Sequence, residues 1–359
     1  MIVVRVGSWA SKLVLASCVV VLGACAGGES PSTGSPQGRG TNSSSGSLGT
    51  SGLGPSSSGS PSSSGSTGDD AGGVSSGEGG TSSGSTGGDG STGSGGGGSS
   101  YTCFPAGSGM DFTSDGPLMA TSADVPSVQC TIYQPTQLGS NGCLNPVVVW
   151  GNGTFNTPAS YDALFKHFAS HGFIIAAADT SNSGTGMEML ACLKYILDQN
   201  NASSGALAGH IDTNHIASSG YSQGGAGCLA AGEDPRFTTV LAVSPFIVIP
   251  LGGYDPTTYS AKQTHPLFMI SGGADTVATP STNQQPIFMQ APVPIFWATH
   301  AVSSHLEVLG AGGAYAGPMT AWFRWKLMGD PAAAKWFEKP DCLLCNASGW
   351  MVQTNSMWM

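Results

Sequence analysis

Residues Ile216-Ala217-Ser218-Ser219-Gly220-Tyr221-Ser222-Gln223-Gly224-Gly225 run from an apolar stretch through G-x-S-x-G into Gly225 to Ala231, whose small residues suit a helix. In a chain rich in Gly and Ser the five-residue pattern means little alone; its flanks give it meaning. A buried strand, a sharp turn and a helix, in that order, present the central serine at the tip of the turn. Gly220 and Gly224 supply the small positions that such a turn requires. The N–H groups at the start of the following helix point to where negative charge gathers when a serine attacks a carbonyl. Ser222 is the candidate nucleophile.

Outward from this turn, short apolar runs alternate with helical patterns. Strands are expected at Val128 to Gln134, Pro146 to Trp150, Phe173 to Ala178, Ile216 to Tyr221, Thr239 to Ser244, Pro266 to Ser271 and Val293 to Trp297. Their uninterrupted apolar character fits strands covered on both faces. Helices are expected at Ser160 to Ser170, Met187 to Asn200 and Gly317 to Met328, each gathering large apolar residues on one side. The alternation predicts an α/β fold: a mostly parallel twisted sheet, helices on both faces, and a site at the carboxyl ends of the strands. No long insertion between strands resembles a lid.

A serine nucleophile needs a base and an acid that orients it, and in this strand-turn-helix setting they follow in the order Ser, Asp or Glu, His. Glu233 and Asp234 come at the far end of the helix after Ser222, and Asp255 sits in a Gly/Pro loop. Asp275, in Ser271-Gly272-Gly273-Ala274-Asp275, follows directly on a strand, where the acid belongs. That leaves His300 and His305 for the base. His305, in a loop, is preferred to His300, which follows its strand too closely. His265 reads as structural, and His167 and His171 as surface or packing residues.

With these positions placed, the chain resembles the bacterial cutinases of the α/β-hydrolase superfamily, a group that includes polyester (PET) hydrolases. The likeness extends to dienelactone-hydrolase-like serine esterases. It is carried by Gly116-Pro117, Thr131 to Thr136, Ala169-Ser170-His171-Gly172-Phe173 through Asp179-Thr180, Gly220 to Gly225, Gly273 to Thr276, Ser304-His305, and the run from Trp322 through Phe337 to Cys342. Tyr221 and Gln223 stand where the family has His and Met in G-H-S-M-G-G. The resemblance implies Ser222, Asp275 and His305 as the triad, and the backbone N–H groups of Gln223 and Thr154 as oxyanion donors. It implies substrate contacts near Phe155 and Phe246: the family's Tyr in the first loop aligns with Thr154, with Phe155 next to it, and Phe246 replaces the family's Trp; both phenylalanines could equally be core. The implied activity is a serine carboxylester hydrolase acting on short-chain acyl esters or polyesters. A peptidase, a thioesterase, a dienelactone-type hydrolase, or a non-catalytic surface binding protein on the same scaffold are the rivals. No cofactor and no metal motif appears.

The rest of the chain reads as delivery. Residues 1 to 24 have the parts of a signal peptide: Arg5 and Lys12, then an apolar run from Leu13 to Leu22 too short to span a bilayer comfortably. Leu22-Gly23-Ala24-Cys25 resembles a lipobox, so Cys25 is the expected lipid attachment site. Residues 28 to 100 are nearly all Ser, Gly, Thr and Pro and hold much of the chain's 55 glycines. Such a segment cannot bury enough apolar surface to offset its ordering entropy. Residues 25 to 100 thus read as a lipidated Cys and a disordered tether with a reach of roughly 50 Å, and residues 101 to 359 as the hydrolase domain. The net charge of −10, with only 11 Lys plus Arg, offers no footprint for nucleic acid. The expected partners are an ester or polyester substrate and a membrane reached through the anchor, with the domain a monomer at an outer membrane or cell surface. Of nine cysteines, Cys18 and Cys25 precede the tether. The other seven suggest one bridge among Cys103, Cys130 and Cys143, a Cys192–Cys228 pair, and a Cys342–Cys345 pair.

Overall fold

The computed structural model describes residues 103–104, 111–248 and 255–359. The expected signal peptide, Cys25 and the tether lie outside the described residues.

Six strands form the parallel centre of the sheet: β3 (Asn145–Gly151), β4 (Ile174–Ala178), β5 (Ile211–Tyr221), β6 (Thr239–Val243), β7 (Leu267–Gly272) and β8 (Ile295–His300). At one edge β2 (Cys130–Pro135) pairs antiparallel with β4, and β1 (Ala120–Val125) pairs antiparallel with β2. At the other, β9 (Trp350–Thr354) pairs antiparallel with β8. The order is β1-β2-β4-β3-β5-β6-β7-β8-β9. This mixed, mostly parallel sheet with flanking helices is the α/β-hydrolase fold.

Successive side chains of a strand point to opposite faces, and both faces here are covered. Val148, Trp150, Phe268 and Phe296 pack with α1 (Asp162–Ser170) through Leu164, Phe165 and Phe168. The same layer takes in α5 (Ala316–Met328) through Met319, Trp322 and Phe323. Val147, Val149, Met269 and Ile295 face the other way. There they meet Met189, Leu193 and Ile196 of α2 (Met187–Asn200), Leu229 of α3 (Gln223–Ala231) and Ile287 of α4 (Pro280–Gln290). Each such fully buried side chain is worth about 1.5–3 kcal/mol. Among the described residues, no helix is long and apolar enough to cross a membrane.

The disulfides correct one expectation. Cys103 bonds Cys143 and Cys342 bonds Cys345, but Cys192 bonds Cys130, not Cys228. Cys192 of α2 and Cys130, which opens β2, lie in the same apolar layer. Cys228 sits in α3, fully buried as a free thiol, with its Sγ donating to the Gly225 carbonyl at 3.1 Å.

His171, just after α1, is 1% exposed, and its Nε2 donates to the Ser114 carbonyl at 3.0 Å. Burial, reinforced by the neighbouring His167, pulls its pKa from 6.5 down to about 4. Between those values the unfolded chain takes up a proton at this position and the folded chain does not. The contribution is therefore complete above pH 6.5 and is lost as pH falls toward 4, at no more than about 1.4 kcal/mol per pH unit. Urea unfolding at pH 7 and pH 4.5 should show a larger loss of stability for the wild type than for His171→Gln, which keeps a donor for Ser114 and does not titrate.

Candidate active site

Five loops leave the carboxyl ends of β3, β5, β6, β7 and β8; Thr154, Phe155, Ser222, Phe246, Asp275 and His305 stand on them, and Gln223 opens the helix that follows Ser222. Such a row of strand ends is where ligands bind in parallel sheets.

Ser222 joins β5 to α3 with φ 55° and ψ −117°, a backbone conformation that costs of order 1–3 kcal/mol for a residue with a side chain. The surroundings hold it there. Its N–H donates to the Val243 carbonyl at 3.0 Å, and its carbonyl accepts from Phe246 at 2.9 Å and from Ala226 at 3.1 Å. A Cβ on Gly220 would collide with the carbonyl of Gly224, and one on Gly224 with the carbonyl of Gly151. The turn exists because two backbones touch where side chains are missing.

The Ser222 Oγ lies 2.9 Å from His305 Nε2, and His305 Nδ1 lies 2.8 Å from Asp275 Oδ2. All three residues are less than a tenth exposed. Asp275 Oδ1 accepts from the N–H groups of Val277 and Ala278, each at 2.8 Å. Burial pushes the Asp275 carboxyl up, but the His305 ring and those two N–H groups outweigh it and leave the group below its ordinary value. It is ionised at neutral pH and can only accept, so His305 Nδ1 carries the proton and Nε2 is free to accept from the serine hydroxyl. The loops after β7 and β8 are stitched together: Gly273 donates to the His300 carbonyl at 2.8 Å and Ala274 to the Ser303 carbonyl at 3.1 Å.

His300 is the last residue of β8; its Nδ1 meets Ser303 Oγ at 2.6 Å and its ring lies tilted against Trp350 at 4.9 Å. His265 bonds the Asp234 carbonyl, and His167 is wedged between Asp115 and Thr320.

A cleft of about 330 Å³ opens over Ser222 and His305, lined also by Thr154, Phe155, Asn156, Tyr221, Phe246, Val277 and Leu306. Gln223 opens α3 beside Ser222, at a helix N-terminus where first-turn N–H groups face outward. Thr154 sits in the β3 loop across the cleft. Phe155, with φ 66°, is 93% exposed, and Phe246 is half-buried, so neither belongs to the core. Val277 and Leu306 escaped the sequence reading, although each is an exposed apolar residue one or two positions from Asp275 or His305. Among the described residues, no group of three or more His, Cys, Asp or Glu is placed to hold a metal ion.

The family described as PETase, PET hydrolase-like, matches residues 106–324, a span that contains Ser222, Asp275 and His305. The chain belongs to the PET hydrolase-like family. Among relatives of this PET hydrolase-like chain, "Cutinase 2" of Thermobifida cellulosilytica is 27% identical over 187 residues, covering 50% of this chain and 63% of that protein. "Cutinase cut1" of Thermobifida fusca is likewise 27% identical over 187 residues, with 50% and 52% covered. "Bis(hydroxyethyl) terephthalate hydrolase" of Streptomyces coelicolor is 26% identical over 167 residues, with 45% and 49% covered. The chain spans about half to two thirds of the length of these curated relatives.

The contact between α3 and β3 is testable. Gly224→Ala places a methyl against the Gly151 carbonyl and should cost roughly 1–3 kcal/mol by overpacking. A thermal melt would show the loss, and a variant melting with the wild type would mean that the backbones do not approach as described.

Proposed function

We propose that the folded domain hydrolyses carboxylic esters through an acyl-enzyme. One observation carries this reading: the unbroken chain of hydrogen bonds from Ser222 Oγ through His305 to Asp275, at the floor of an open cleft. Ser222 attacks the ester carbonyl while His305 Nε2 takes its proton. Asp275 holds the ring and stabilises the imidazolium. The N–H groups of Gln223 and Thr154 receive the developing oxyanion. His305 then returns the proton to the leaving alcohol, and water releases the acid by the same steps in reverse.

The cleft supports a neutral ester rather than a charged substrate. None of its lining side chains is a carboxylate, a lysine or an arginine. Phe155, Val277 and Leu306, all exposed, form an apolar rim suited to acyl or aromatic groups. The names of the relatives, cutinase and bis(hydroxyethyl) terephthalate hydrolase, agree with short-chain acyl esters or polyesters as the substrate class. Hydrolysis of p-nitrophenyl butyrate by the wild-type protein, beside Ser222→Ala and His305→Ala, tests the reading. Both variants should lose at least about 10³-fold in kcat with KM little changed. A well-folded wild type inactive across a panel of acyl lengths would overturn it in favour of a peptidase, thioesterase, dienelactone-type hydrolase or binding protein.

The same proposal places the domain outside the cell. Cys25 is its lipid attachment point and residues 25 to 100 are its tether. In cells fed a clickable palmitate analogue, the wild type should be labelled and partition with membranes, and Cys25→Ala should do neither.

A further inference from the structure

We propose that Tyr161 is a positioning residue whose phenol aims the Thr154 N–H at the reacting carbonyl oxygen. The proposal rests on the ester-hydrolase reading and concerns how one of its two oxyanion donors is held in place.

The geometry turns on Gly153. Its N–H donates to the Tyr161 phenol oxygen at 3.1 Å, in a buried setting. Its carbonyl accepts from the Asn156 N–H at 3.0 Å. The Gly153 carbonyl and the Thr154 N–H belong to one planar trans peptide, so they point in opposite directions. Fixing the carbonyl toward Asn156 therefore fixes the direction of the Thr154 N–H. The bond to Tyr161 fixes the preceding peptide plane. Gly153 is thus gripped on both sides, and the donor that follows it has little freedom left.

Tyr161 is itself immobile. It is fully buried, closes the turn Pro158–Tyr161, and its ring packs edge-on against Trp150 at 5.2 Å and obliquely against Phe165 at 5.4 Å. Tyr221 completes the brace. Its ring meets Tyr161 edge-on at 6.2 Å on one side and His305 at 4.9 Å on the other. A Cβ on Gly153 would run into that Tyr221 ring, which explains the absence of a side chain there. The base and the oxyanion loop are therefore set against the same pair of tyrosines, and a change in the loop's aim is a change relative to the reacting atoms. A hydrogen bond aimed at the oxyanion counts only in the transition state, so its loss lowers kcat and spares KM.

The test is Tyr161→Phe, which keeps the ring and removes the acceptor, beside Phe168→Leu, which loosens the same apolar layer through its contact with Phe323 and leaves the rings around Tyr161 in place. With p-nitrophenyl butyrate, Tyr161→Phe should lose roughly 10-fold in kcat with KM within about 2-fold. The inhibition constant of phenylboronic acid, which forms a tetrahedral adduct on a serine, should rise by a similar factor, while that of benzoate should not. Phe168→Leu should melt earlier and keep the wild-type kcat. Amide exchange read by NMR gives a measurement that needs no variant: the Gly153 N–H should exchange slowly in the wild type. Rapid exchange there, or a folded Tyr161→Phe with wild-type kcat and boronate affinity, would overturn the proposal. A wild type that neither turns over ester nor binds the boronic acid would instead sink the esterase reading beneath it.

Discussion

The contact between the first turn of α3 and the end of β3 is the constraint on which the site depends. Gly224 lies against the carbonyl of Gly151, and Gly220 against that of Gly224, with no side chain between the backbones. Only at this separation can Ser222 adopt its positive φ and stand above the sheet while its own N–H and carbonyl remain bonded to the β6 end. The local strain is held by the parallel strands on either side. Those strands are buried on both faces, so the turn has nowhere to relax.

From that fixed point the remaining geometry follows from strand spacing. β6 and β7 separate β5 from β8, and the loops after β7 and β8 bend back toward the serine, tied to each other by backbone hydrogen bonds. Asp275 gives one oxygen to two backbone N–H groups and the other to His305. The division fixes the carboxylate's rotation, and that fixes the imidazole. On the opposite wall, Asn152 donates to the Thr180 carbonyl at 2.9 Å and ties the β3 loop to the β4 loop. Each functional side chain is thus placed by backbone contacts among its neighbours rather than by its own rotamer preferences.

Much of this was legible in the sequence because the central strands are apolar on both faces and stand out as continuous runs. What was not legible lies at the edges. β1 reads Ala-Thr-Ser-Ala-Asp-Val and is largely exposed; a strand with water on one side and a single partner needs no apolar run. β9 is another half-exposed edge strand. α4 is nearly devoid of amphipathic pattern and carries Pro286 within it, so tertiary packing of Ile287 decides it more than propensity does. The Cys130–Cys192 bridge joins residues 62 apart, and its pairing depends on which face of the sheet each cysteine meets. Chain order and strand ends restrict the choices enough to single out Ser222, Asp275 and His305 in the sequence, and the structure brings the three within hydrogen-bond distance. Tyr161 was not legible there, because its importance lies in one hydrogen bond to a glycine N–H.

Phe155 has a consequence for how the molecule meets its surroundings. A left-handed backbone at an aromatic residue, with the ring almost wholly in water, is a double cost that the gripped turn Gly153–Asn156 sustains. The ring stands out from the turn rather than against the core. At any apolar solid it would be among the first groups at the cleft's mouth to shed water, and it would bring the mouth down with it. How much of the protein such a material holds would then be set by how many molecules lie flat on it and how quickly they leave, so coverage rather than bulk concentration becomes the controlling variable.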